Sequence, residues 1–352
     1  MMIGGNPIVV VGTGGRTPLG FSTETSAAAV RAGISAIQDH PFMIDRVGER
    51  MKVTRDTGID PTLNGPDRLV EIATSPALDA LAPLRKADPS TPVALILSTG
   101  EPRPGQDGDF AAEADRQLRA RLSQHIALAG GGSNAGGHAG GMLAIHHGYR
   151  MLLEGKARFC LAGGVDSYLE PETLEWLDER EQLHSDENTY GFCPGEGAGF
   201  CLMTRLKTAR QLGIQPLLEV LCTSVAFEEN KIKTRTICLG EGLSTAFQLL
   251  FEQAPIDPVD RIICDMNGER YRGNEYGFAV LRNPGRFKNA AGFETPADCW
   301  GDLGAASGPL FVGMVAEAEA RNYSKGPLSL IWASSENGTR AAALLGGPGE
   351  RR

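Results

Sequence analysis

GFCPGEGAGFCLMTRL (191–206) places four glycines in its first nine residues and then closes on an apolar run. Small residues at that density suit a close-packed turn, and the run after it reads as a strand. Upstream, RFCLAGG (158–164) is a second apolar strand. The acidic segment PETLEWLDERE (171–181) between them predicts a helix with a solvated face, anchored by Leu174, Trp176 and Leu177; a partner surface is the alternative.

Further upstream the same alternation continues. PIVVVGTG (7–14) and TPVALILSTG (91–100) read as buried strands. Helices are predicted within 17–33, capped by Ser22 or Thr23, and over 66–84, 109–124 and 139–154. In the second half, strands are expected at 216–227, 260–268, 327–335 and 339–345, with helices at 242–254 and 305–320. Strands alternating with helices in both halves predict α/β layers. The halves divide into residues 1–210 and 211–352, with no flexible linker between them, so they are expected to share one interface.

Whole-chain properties narrow the function. The 352 residues carry a formal charge of −9, which disfavours nucleic acid and anionic membrane surfaces. Seven cysteines without a CxxC pair suit reduced, buried thiols in a cytoplasmic protein. No run reaches the ~18 apolar residues of a membrane span, and MMIGGNPIVVV (1–11) lacks a basic leader with a cleavage site. GTGGRT (12–17) lacks the third glycine of a dinucleotide loop, because Thr17 stands there. His146 and His147 are adjacent on a helix and diverge by about 100°, so they make a poor metal pair. No cofactor or metal is expected.

Several motifs, in order, resemble the thiolase-like superfamily, and its β-ketoacyl synthase branch most closely. GFCPGEGAG (191–199) is similar to that branch's Gly-Phe-x-x-Gly-Glu-Gly-Ala-Gly segment, the most specific match. VVVGTGGRTPLG (9–20), LAGGVDS (161–167), WGDLGAAS (300–307) and ENGTRAAALL (336–345) resemble further stretches of it. The resemblance implies a five-layered αβαβα fold of two pseudo-symmetric halves, either a homodimer or a heterodimer with a synthase-like subunit. It also implies an acyl thioester or acyl carrier protein as partner, and Glu196 as a buried framework carboxylate. In the family, a Cys at a strand-to-helix turn takes the acyl group. Two His, or His and Asn, then stabilise the enolate formed when a malonyl group loses carbon dioxide.

Carried over residue by residue, that catalytic set changes. GKARFCLAGG (155–164) matches the family pattern Gly-x-x-Asp-x-x-x-Ala-Gly-Gly with Arg158 for the Asp, and an ungapped count back puts the nucleophile at His138. A rival alignment of Ser-x-x-Gly-x-His puts it at Ser133, with a five-residue insertion in the following helix. The first family His falls on Asn267. The second falls on Gly301, or on Asp302 when one residue is deleted, and the gating Phe falls on Glu336. One of Cys264 and Cys299 is an alternative, relocated nucleophile, against ordinary strand or core packing for both; Glu269 and Arg270 read as a local ion pair or surface loop, with a role in the site as the alternative.

A trio of His138, Asn267 and Asp302 would not do the family chemistry. An ionised Asp302 roughly 4 Å from an enolate would oppose it by about 4 kcal/mol at an effective dielectric near 20. Either protonation of Asp302 or an ion pair with His138 would relieve that. Two functions follow as expectations. One is a divergent ketosynthase-like subunit, unable to condense, that binds an acyl chain or carrier or acts as a scaffold. The other is an acyltransferase or thioesterase using His138, Asp302 and Asn267, or a still-active synthase with a displaced nucleophile.

Overall fold

The computed structural model describes residues 6–106, 108–254 and 257–348, so the first five residues of the N-terminal stretch lie outside it. The first half runs β1 (Ile8–Arg16), α1 (Thr23–Arg31), β2 (Gln38–Ile44), β3 (Arg50–Val53), α2 (Gly65–Ala87) and β4 (Val93–Ser98). It continues with α3 (Phe110–Leu122), β5 (Leu128–Asn134), α4 (Gly140–Leu153), β6 (Phe159–Ser167), α5 (Pro171–Glu179), β7 (Glu196–Arg205) and α6 (Leu206–Gln211). The second half holds β8 (Leu218–Phe227), α7 (Glu241–Gln253), β9 (Arg261–Cys264), α8 (Arg270–Arg282) and α9 (Ala297–Trp300). It ends with α10 (Ser307–Ala320), β10 (Leu328–Ser334) and β11 (Thr339–Gly346).

Nine strands join in the order β5-β4-β6-β7-β1-β8-β11-β10-β9. The first five and the last four are two copies of one pattern. In each, a parallel pair (β4 with β6, β9 with β10) is followed by two antiparallel steps. Among the described residues the second copy has no equivalent of β5 beyond β9; the isolated parallel bridges Val259–Phe287 and Ile263–Glu294 lie there. The copies are spliced edge to edge where Ile8, Val9 and Val10 of β1 pair with β8.

Alternation along the strands separates the layers. Ile8 and Val10 of β1, Ala94 and Ile96 of β4, and Ile331 and Ala333 of β10 face a central core around α4 and α10. Their neighbours Val9, Val11, Val93, Leu95 and Leu97 face α2 and α3, whereas Leu330 and Trp332 face α7 and α8. The result is helix, sheet, helix, sheet, helix. Strands covered on both faces read as unbroken apolar runs, which is why the sequence reveals them.

Both central helices start the same way. A 3₁₀ turn, Gly137–Ala139, leads into α4, and another, Gly304–Ala306, leads into α10. Gly304 sits at φ +49°, and a Cβ there would lie 1.9 Å from Asp166 Oδ2, so only glycine fits. Gly141 brings α4 close to the second turn, since a Cβ would lie 2.3 Å from the Ala305 carbonyl oxygen. The helix heads therefore abut at one point.

Candidate functional site

His138 occupies the middle of the first turn, 5% exposed. The turn is pinned by Ser335, whose Oγ accepts the Ala139 N–H (2.7 Å) and donates to the Gly136 carbonyl (2.6 Å). Asp302 precedes the second turn and is buried beside it. Its Oδ2 lies 2.8 Å from His138 Nε2 and accepts the Asn267 amide at 2.6 Å, while Oδ1 accepts the Gly304 N–H at 2.8 Å. The Tyr168 hydroxyl stands 3.4 Å from both His138 Nε2 and Asp302 Oδ1. Three segments far apart in sequence thus bring His138, Asn267 and Asp302 into direct contact.

The proton on Nε2 must point to Asp302, because a lone pair there would face a carboxylate oxygen. Arg272 Nη2, 3.1 Å from the same nitrogen, then meets an N–H and acts through its charge. Burial opposes charging the ring, but the Asp302 carboxylate outweighs burial and the Arg272 repulsion, so the His138 pKa lies above the ordinary imidazole value. Burial likewise resists the charge on Asp302. The imidazole, its hydrogen bond, Arg272 and Asn267 overcome that and hold the carboxyl far below its usual range. Of the two ways to quiet Asp302, the chain uses the ion pair.

Charged groups surround this pair. Arg272, fully buried, donates to Asp265 Oδ2 (2.8 Å) and to the Ser334 carbonyl (3.0 Å). Glu269 accepts from the Asn267 amide (3.1 Å) and the Tyr271 hydroxyl (2.7 Å), and Lys233 Nζ lies 2.9 Å from it. Burial would raise the Glu269 pKa, but Lys233 and Arg272 hold it below the usual value. Arg103 pairs with Asp166 (2.8 Å) and covers the Tyr168 ring, 3.6 Å from its centroid. The carried-over framework residue Glu196 is fully buried, bonded twice to Arg68 (2.6 and 2.7 Å) and to the Asp56 N–H (3.0 Å).

The reading of Glu269 and Arg270 as a local pair or surface loop does not hold for Glu269, which is buried beside Asn267, whereas Arg270 is exposed. Helix α8 begins at Arg270, and successive helical residues point about 100° apart. Glu269 turns inward to the cluster, while Arg270 lies 3.4 Å from the centroid of the Tyr190 ring.

The remaining candidates lie away from this point. Ser133 is exposed on the edge strand β5. Cys264 belongs to the outer cluster with α7 and α8, its Sγ 3.7 Å from the Glu294 carbonyl. Cys299 Sγ is 4.0 Å from the Val30 carbonyl, in a separate groove. His146 meets the Thr223 hydroxyl at 2.9 Å, and burial beside His147 pushes its pKa down to about 4. Among the described residues one group, Glu228, Cys238 and Glu275, brings metal-capable atoms within 4.8 Å of one another, but Arg340 already pairs with Glu275 there.

Above His138 lies a cavity of about 50 Å3, walled by Glu101, Arg103, Tyr168, Phe192 and Glu336. That is room for one or two waters, against ~300–1,000 Å3 for a typical ligand pocket. A larger groove of about 590 Å3 lies beside α1 and the end of α10, and none of the three central residues lines it.

Residues 117–209 match the family model for the beta-ketoacyl synthase N-terminal domain. The whole fold is shared as well. A β-ketoacyl synthase from Burkholderia phymatum superposes with a TM-score of 0.74 at 18% identity, covering 97% of this chain and 100% of that one. The chain has the fold of that synthase, and its residues 117–209 are similar to the N-terminal domain of the β-ketoacyl synthases.

Two further structures share this fold. One is AntDE:AntF, a type II polyketide synthase acyl-carrier protein in complex with its ketosynthase bound to the hexaketide (TM-score 0.78, 14% identity, 97% and 99% coverage). The other is the ishigamide ketosynthase/chain length factor (0.67, 21%, 97% and 100%). In sequence, the chain is 31% identical over 159 residues to the non-reducing polyketide synthase pkdA of Emericella nidulans, which covers 41% of this chain. It is 27% identical over 149 residues to polyketide synthase PksN of Bacillus subtilis, covering 40%. The matched regions are 6% and 3% of those two proteins' own lengths. Among the described residues no helix is long and apolar enough to cross a membrane.

Proposed function

We propose that this ketosynthase-like chain does not perform decarboxylative condensation and serves as an acyl- or carrier-binding or scaffolding subunit. One observation carries the reading: His138 and Asp302 form a buried ion pair where the resemblance expects a thiolate and a neutral donor. Condensation needs a sulfur nucleophile to take the acyl group and preorganised donors for the enolate oxygen. Here Asn267, the remaining donor, is already committed to Asp302 and Glu269.

The test is incubation with acyl-CoA, malonyl thioester and acyl carrier protein, following free thiol and intact protein mass. Thiol release at the buffer rate, no covalent adduct and saturable carrier binding by calorimetry are expected. Turnover abolished by His138→Ala would overturn the reading.

Such turnover would favour thioester hydrolysis, which the ring geometry supports as a second reading. All the ring's side-chain hydrogen-bond partners among the described residues meet Nε2, while the ring also lines the cavity. With the ring in its neutral form and its proton on Nε2 toward Asp302, water would add its oxygen to the thioester carbonyl as Nδ1 took the water proton. Cleavage of the C–S bond would then return that proton to the departing thiolate.

A second copy of the chain is the proposed structural partner. Residues 129–133 of β5 are all exposed, at the end of the sheet. An open edge of this kind is a template for strand pairing. Light scattering should give twice the 37.4 kDa chain mass, and charge placed on the edge by Ala129→Lys should halve it. The mass of one chain at micromolar concentration would argue against a homodimer.

A further inference from the structure

Two grooves share a wall where α1 and α10 end, and none of His138, Asn267 and Asp302 lines either. They hold about 590 and 530 Å3, both within the ~300–1,000 Å3 of small-molecule sites. The shared wall is Arg31, in the last turn of α1, and Tyr323, just past α10. The Arg31 guanidinium covers the Tyr323 ring, 4.2 Å from its centroid. Stacking occupies the face of a guanidinium and leaves the N–H groups at its edge open to an acceptor.

The second groove is cationic and apolar at once. Glu294 is held twice by Arg261 (2.9 and 2.7 Å) and once by Lys325 (2.9 Å), so two cations share one carboxylate. Asp298 takes the Thr295 hydroxyl at 2.6 Å. With Arg31, three cations and two anions line this groove, on a chain whose net charge is −9. Of the three cations, Arg31 alone has no carboxylate partner among the described residues, and the Tyr323 hydroxyl has no hydrogen-bond partner among them. Burial and Glu317 push the Tyr323 pKa up while Arg261, Arg31 and Arg321 pull against them, so three guanidinium groups stand close to that oxygen. The C-terminal ends of α1 and α10 disfavour an anion, and Arg31 and Arg321 sit at those ends to offset it. Ala27, Val30, Phe293, Pro296 and Met314 supply the apolar lining; Phe293 is 37% exposed.

We propose that this second groove binds an amphipathic monocarboxylate. The head group takes the open N–H edge of Arg31 and the Tyr323 hydroxyl, and the apolar body lies along Val30, Phe293 and Met314. A carboxylate matches the planar fork of a guanidinium. One negative charge balances the surplus cation of the lining, whereas a cationic ligand would meet three like charges and an uncharged one would leave Arg31 without a partner. The inference stands independently of the reading of the central site.

Cys299 supplies the reporter. It lines this groove half-buried, and Cys238, the other half-buried cysteine, lies between β8 and α7 and serves as the internal control. The protein is alkylated with N-ethylmaleimide at about pH 8, where part of each thiol is thiolate, and both cysteines are followed by peptide mass spectrometry. Decanoate at about ten times its dissociation constant should slow Cys299 about tenfold and leave Cys238 unchanged. 1-Decanol should protect weakly, and decyltrimethylammonium not at all. Arg31→Met keeps the apolar stem and drops the charge. It should abolish protection by decanoate while Cys299 reacts at the wild-type rate without ligand, which shows the groove intact. No protection at about 5 mM decanoate, where even a millimolar site is mostly filled, would overturn the proposal. Equal protection by 1-decanol would do the same, as would full protection in Arg31→Met. Slowing of Cys238 in step with Cys299 would show decanoate acting on the whole fold and would also overturn it.

Discussion

Asp302→Ala is expected to lower the unfolding free energy by about 3–5 kcal/mol, read from urea denaturation at unchanged slope. The carboxylate is the common acceptor of the site: His138, the Asn267 amide and the Gly304 N–H all meet it within 2.8 Å. Alanine leaves those donors buried without an acceptor, and it leaves an imidazole 3.1 Å from Arg272 with no anion between them. The ring can shed its proton, which places the loss toward the lower end of the range. Asp302→Asn, which keeps the shape and one acceptor oxygen, should lose less.

The same pair predicts a pH signature. Asp302 has a folded pKa below its ordinary 3.8, so its contribution is present above that value and is lost as pH falls through the lower folded one. His138 has a folded pKa above its ordinary 6.5, so its contribution is full below 6.5 and is lost as pH rises through the folded value. The wild-type advantage over Asp302→Ala should therefore peak between about pH 4 and 6.5 and shrink toward pH 9. A constant difference from pH 5 to 9 would mean that His138 is not charged in the fold.

How legible such a site is in sequence depends on the range of the interactions that make it. Strands such as VALILS (93–98) are buried on both faces and stand out as apolar runs. The Ser22 cap of α1 is equally local, accepting the Thr25 N–H at 3.2 Å. Helix α8 was not readable. Its outer face carries Gly273, Asn274 and Gly277, which break the apolar period, and its inner face is held by Arg272 and Glu275 where a hydrophobic stripe is the usual signal. Strand β5, LAGGGSN (128–134), is an exposed glycine-rich edge and has no alternation to detect. Strand β9 stops at Cys264 and not at 268, because Asp265 turns to Arg272 and the Ser334 N–H.

The candidate site divides in the same way. Counting from family motifs leads to His138 and Asn267, and to Asp302 once one residue is deleted, since backbone turns nearly keep their spacing. Lys233, Arg272, Tyr168 and Arg103 had no such signal. Lys233 reaches Glu336 across 103 residues of chain, and Arg272 reaches His138 across 134. Neither contact leaves a local pattern. The one hint was charge: NGER (267–270) sets an acidic and a basic residue beside the Asn, yet only the start of α8 decides that Glu269 turns inward.

Cysteine restored at position 138 is expected to leave malonyl decarboxylation at background for as long as Asp302 remains a carboxylate. In His138→Cys the sulfur returns to the head of α4, but the imidazolium that balanced Asp302 is gone. An enolate about 4 Å from that charge is disfavoured by about 4 kcal/mol at an effective dielectric near 20. The same charge raises the thiol pKa and thins out the reactive thiolate. Adding Asp302→Asn removes both penalties at almost constant shape and turns an acceptor into a donor for the enolate oxygen. The double variant should therefore exceed the single one by about a thousandfold in carbon dioxide release from a malonyl thioester. If the single variant performs as well as the double, the missing sulfur was the whole loss and the Asp302 charge is incidental. If only the double variant turns over, the exchange of a neutral donor for Asp302 is what separates this fold from carbon–carbon bond formation.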